Sequence, residues 1–142
     1  MSVPVYDTCD TVRFKIRRAL RRPGVTKAAF LRALVRAAYP AGSTHKIASN
    51  LLDNFLAKKG PVAGNTSSVF YAAYVYFEKL RVRDRRPETE LRDAMELEWP
   101  GGFETREQLD RRSYICAADT ELAMNRFGKP VVLRRGRFGG YF

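Results

Sequence analysis

Apolar residues recur along most of this chain at the three-to-four-residue spacing of helices packed on one side. Val12, Ile16, Ala19 and Leu20 form the first stripe and predict a helix over about 11–22, capped by Asp10 or Thr11 and ended by Pro23-Gly24. Thr26 caps a second helix, roughly 27–38, whose inner face carries Phe30, Ala33, Leu34 and Ala37. After the break at 39–42, Ser43 or Thr44 opens a third helix reaching Lys58 or Lys59, with Ile47, Leu51 and Phe55 in register. Gly60 suits its left-handed cap and Pro61 blocks continuation. Residues 60–66 read as a loop, and Ser67 or Ser68 opens a fourth helix over 69–82. That helix is apolar on nearly every side, as expected of a central helix or one buried against a partner subunit. The aromatic and β-branched residues of 69–77 also suit a strand, but the paired alanines and the continuous length favour helix.

A hinge is expected at 84–87, then a fifth helix over 88–98 with Leu91, Ala94 and Met95 inward, stopped at 99–103. Beyond it the pattern weakens. A short helix at 105–112, a turn near 119–126 and an extended stretch at 129–133 are the expectations, followed by a mobile basic tail. The predicted fold is all-α, a compact bundle of about five helices with a helix-turn-helix-like core. Three regions follow: a basic helical core (1–83), an acidic extension packed on it (84–128) and a basic Arg/Gly/aromatic tail (129–142).

Charge sharpens this division. Residues 1–83 hold 15 Lys/Arg against 4 Asp/Glu, residues 84–125 hold 6 against 11, and residues 126–142 hold 5 against none. The overall excess of +11 attracts polyanions, of which nucleic acid is the commonest inside cells; a basic surface serving only solubility is the alternative. Arg13, Arg17 and Arg21 repeat every four residues along the first helix, broadened by Lys15, Arg18 and Arg22. Like charges at this spacing repel unless a polyanion is near.

The third helix presents a polar outer face. Lys46, Ser49, Asn50 and Asn54 can meet base edges in a major groove, while Ser43 and Thr44 near its start can meet phosphate. Lys58 and Lys59 extend the phosphate contacts made by Arg13, Arg17 and Arg21. Asp53 on the same face repels phosphate unless paired with Lys46 or a nearby arginine. An ordinary three-helix core with a polar third helix explains the same periodicity. In the tail, Arg134, Arg135 and Arg137 can grip phosphate or enter a minor groove beside Phe138, Tyr141 and Phe142; a frayed end or a subunit contact explains the same residues.

Several classes are disfavoured. Two cysteines, Cys9 and Cys116, and one histidine, His45, assemble neither a zinc set nor a disulfide framework. His45 reads as a polar residue at a helix start, and Glu96 and Glu98 do not share a helix face. No catalytic residue, cofactor or small-molecule substrate is expected. No apolar run is long enough to span a membrane, and the first residues lack the pattern of a secretory signal, so an intracellular protein is expected. Phe70, Tyr71, Tyr74 and Tyr76 fall at helical spacing and read as core rather than as an RNA-stacking platform.

The strings YDTCDTVR (6–13), TKAAFLRAL (26–34), NFLAKKGP (54–61) and SSVFYAAYVYFEKLR (67–81) resemble an uncharacterised domain family of fungal proteins. WPGGF (99–103) and MNRFGK (124–129) are similar as well, so the likeness covers most of the chain. It implies a nuclear, helix-turn-helix-like protein and carries no known chemistry. The expected function is non-catalytic binding of double-stranded DNA, transcriptional or chromatin-associated. The alternatives are an interaction or oligomerisation module, here a homodimer, and an RNA-binding protein.

Overall fold

The computed structural model describes residues 3–109 and 120–134. Five helices, α1 (Cys9–Leu20), α2 (Lys27–Ala38), α3 (Ser49–Ala57), α4 (Ser68–Arg83) and α5 (Glu90–Glu98), precede a hairpin of β1 (Thr120–Met124) and β2 (Pro130–Arg134). The mostly helical, five-helix expectation holds.

α4 is the axis of the bundle. Its residues Val69, Phe70, Tyr71, Ala72, Ala73, Tyr74 and Val75 are all buried, and α1, α2 and α3 each pack on it. This explains its weak amphipathicity: neighbours from its own chain cover it on several sides. Phe30 of α2 meets Tyr76 edge-on at 5.8 Å, and Phe70 lies 6.0 Å from Phe55 of α3 and 5.7 Å from Phe103. Met95 carries α5 into the same core.

The caps account for most boundaries. Thr26 Oγ1 accepts from Ala29 N and Thr89 Oγ1 from Arg92 N, each 3.1 Å, while Ser67 Oγ accepts from Val69 N. α1 starts earlier than expected: Thr8, rather than Asp10 or Thr11, caps it, and Cys9 N donates to Pro61 O at 2.9 Å. α5 begins at Glu90, two residues later than expected, where Thr89 caps it.

The largest correction is α3. It begins at Ser49, and its N-cap residue Ala48 offers no side-chain hydrogen bond. Ser43 and Thr44 therefore cap no helix; residues 43–48 have no regular secondary structure, and Ile47 among them is buried. Pro40, Ala41 and Gly42, the last at φ 82°, turn the chain, and His45 stacks on Tyr39 at 3.9 Å. Apolar spacing ran on through Ile47 because one buried anchor in an irregular segment mimics a helical position.

The hairpin is the second correction. Residues 120–124 are a strand, not a turn, and pair antiparallel with β2, Leu122 opposite Val132. The turn is Asn125 to Lys129, organised by Asn125 Oδ1, which accepts from Phe127 N and Lys129 N at 3.0 Å each. Its tip docks on the body: Trp99 Nε1 donates to Phe127 O at 2.7 Å, and Lys129 Nζ sits 3.9 Å from the centre of the Trp99 ring. Residues 105–108 are not helical and Leu109 lies in a 3-10 turn, while residues 110–112 of that expected helix lie outside the described residues. Buried Asn65 holds this loop, donating to Glu104 O (2.8 Å) and Glu107 O (2.6 Å).

Candidate nucleic-acid interface

The arginine row of α1 grades from buried to exposed. Arg13 is 1% exposed, which removes it from any phosphate-binding surface. Its guanidinium donates to Ala63 O (2.7 Å), Phe55 O (3.4 Å) and Gly60 O, pairs with Asp10 at 2.9 Å and lies over the Phe55 ring. The other Asp10 contact, from Gly60 N at 3.0 Å, closes the loop after α3. A planar five-donor group serves several carbonyls at once, and this is why arginine occupies the position. Periodicity could not separate this residue from Arg17 and Arg21, because the difference lies in a loop fifty residues away.

One turn on, exposed Arg17 donates to Leu56 O in the last turn of α3. Arg13 and Arg17 thus both meet carbonyls at the negative end of that helix dipole. Lys58 and Lys59, exposed, follow directly, and Arg18, Arg21 and Arg22 are exposed at the end of α1.

Lys27 Nζ pairs with Asp53 Oδ1 of α3 at 2.8 Å. Asp53 therefore has a counter-charge from the start of α2, rather than from Lys46 or an arginine. Ser49, Asn50 and Asn54 of α3 are all exposed, while Leu52 and Phe55 are buried in the core. The fold thus brings Arg17, Ser49, Asn50, Asn54, Lys58 and Lys59 to α3 and its immediate border. Ser43, Thr44 and Lys46 are exposed but precede the helix. Arg134 lies in β2, while Arg135 and Arg137 lie outside the described residues. Lys27 was missed by sequence reasoning, because an ion pair across 26 residues leaves no periodic signal.

Other polar clusters are internally compensated. Glu78 accepts from Arg81 at 2.6 Å and Arg92 at 2.7 Å, and these bonds, Arg81's foremost, hold its carboxyl down at about 2 despite partial burial. Glu88, Asp93 and Glu96 are the three-carboxylate group near α5, and Arg92 meets Glu96 at 3.0 Å there. Asp7 is buried beside Lys15 at 2.7 Å, and burial raises its pKa. Burial likewise lifts the Tyr74 phenol to about 12. No helix among the described residues is long and apolar enough to cross a membrane.

The class defined by this fold and face is a small helical domain with a polar, cation-bordered helix exposed on one side. The chain belongs to the family described as a domain of unknown function (DUF7726), whose model matches residues 3–86. That span takes in α1 to α4 and ends just after α4, leaving α5 and the hairpin beyond it. No curated protein and no solved structure matches the chain.

Proposed function

We propose that the protein is a non-catalytic DNA-binding protein, with α3 directed to the major groove and the end of α1 to the phosphates. The observation that carries this reading is the exposed Ser49-Asn50-Asn54 face of α3, with Arg17, Lys58 and Lys59 at the helix's C-terminal end and Lys27 paired to Asp53. Asparagine supplies the paired donor and acceptor that match adenine, and the flanking cations supply sequence-independent affinity. A helix with its side chains is about 10–12 Å across, which the roughly 12 Å width of the major groove admits.

In this reading α2 and α3 are a helix-turn-helix-like pair in elaborated form, because residues 39–48 between them exceed the three or four of the minimal turn. Arg13 is excluded from the contact set, Arg17 and Arg21 stay in it, and Arg18 and Arg22 join it. A nuclear, transcriptional or chromatin-associated role is the setting such binding implies. Duplex DNA is favoured over single-stranded RNA because Phe70, Tyr71 and Tyr74 are buried and offer no stacking platform.

The test is fluorescence anisotropy with random duplex DNA over a salt series. If six to ten phosphates are neutralised, affinity falls by about three to five decades between 50 and 200 mM salt. A flat salt response rejects the reading.

A further inference from the structure

Between Asp10 and Glu78 the chain carries twelve Lys/Arg and one carboxylate, Asp53. That carboxylate is on the exposed side of α3, next to Asn54 and three residues from Asn50, with 54% of its side chain exposed. It is therefore placed where a polyanion would be most strongly repelled. Resting on the reading above, we infer that Asp53 is a specificity-determining residue, lowering general phosphate affinity and selecting bases that offer it an amino donor.

The chemistry follows from the group itself. A carboxylate only accepts hydrogen bonds, and in a major groove the exocyclic amino group of cytosine is its natural donor. Lys27 engages Oδ1 at 2.8 Å, which fixes the side chain and supplies a compensating positive charge beside it. A purely mechanical role, stapling α2 to α3 across residues 39–48, accounts for little: both partners are more than half exposed, and such pairs contribute little stability.

The test compares wild type with Asp53→Asn, Lys27→Met and Asp93→Asn, an exposed carboxylate of α5 neutralised as a control. Each is titrated with random duplex and with the duplex that wild type enriches from a randomised pool. Asp53→Asn gains about threefold or more on random duplex and loses about fivefold or more of the preference for the enriched sequence. Lys27→Met weakens binding to both duplexes and keeps the preference. Asp93→Asn changes either affinity by less than about twofold, its charge being screened. A staple would make Asp53→Asn and Lys27→Met move in the same direction. That outcome, an Asp53→Asn variant with an intact preference, or a wild type that enriches no sequence, overturns the inference while leaving duplex binding standing. Absence of duplex binding by all four proteins overturns the DNA-binding reading itself.

Discussion

The guanidinium of Arg13 lies 4.9 Å from the centre of the Phe55 ring and donates to the Phe55 carbonyl as well. One α1 side chain thus fixes both the inner face and the C-terminal end of α3. Its other acceptors, Ala63 O and Gly60 O, belong to the loop that leads into α4. Arg13→Met keeps the apolar stem and leaves these buried carbonyls without donors. It is expected to lose about 2–4 kcal/mol in urea unfolding. Arg13→Lys is expected to recover little of this, since one ammonium cannot span the same acceptors.

The exposed cations beyond Arg13 behave differently. Arg21→Gln or Lys58→Gln leaves the urea midpoint unchanged and reduces the slope of log affinity against log salt by about one each. Arg32 and Arg36 lie on the outer side of α2, away from its buried stripe of Phe30, Leu31 and Leu34. Neutralising them leaves the slope close to wild type.

Acid stability tests the join between α4 and α5. Because Glu78 titrates at about 2 in the folded protein against an ordinary 4.5, its contribution is full above about pH 4.5 and is lost as pH falls toward 2. The carboxylate is partly solvated, so the loss is on the order of 1–2 kcal/mol. Asp7 acts in the opposite sense: its raised pKa relieves a burial penalty on protonation and offsets part of the loss. Glu78→Gln is expected to be less stable at pH 6 and to lose less than wild type on going to pH 3, as read by urea unfolding.

The hairpin depends on its docked tip. A Cβ at Gly128, φ 85°, would meet Val62 and Phe103 at 2.9 Å, so Gly128→Ala combines backbone strain with a clash. It is expected to cost about 1–3 kcal/mol. Trp99→Phe removes the bond to Phe127 O and costs about 1 kcal/mol. In hydrogen exchange both variants lose protection at the amides of β1 and β2, while those of α4 stay protected.

The legible parts of this fold were those written in local pattern. Thr26, Ser67 and the stripe of α2 marked two helices nearly to the residue, and the continuous apolarity of 69–75 marked the central one. What escaped notice depends on contacts across the chain. The buried Ile47 counterfeited a helical turn before Ser49, and the start of α1 at Thr8 is accompanied by a bond from Cys9 N to Pro61 O, fifty-two residues on. Strand β1, Thr-Glu-Leu-Ala-Met, has little β-branched character, so its pairing with the more obvious Val131-Val132 strand was hidden. At the candidate interface, Asn50 and Asn54 were readable from helical phase. Arg13 and Arg17 were equivalent in sequence and distinct in space.

The most direct measurement of the central claim is duplex binding by a protein in which Arg17, Arg21, Lys58 and Lys59 are all replaced by glutamine. Anisotropy against the same duplex, in a salt series, is compared with wild type at matched fold stability. The account predicts that wild type binds with a steep salt dependence and that the quadruple variant loses about four units of that slope. A variant that binds duplex as tightly as wild type, with the same slope, would contradict it and place the polyanion elsewhere on the molecule.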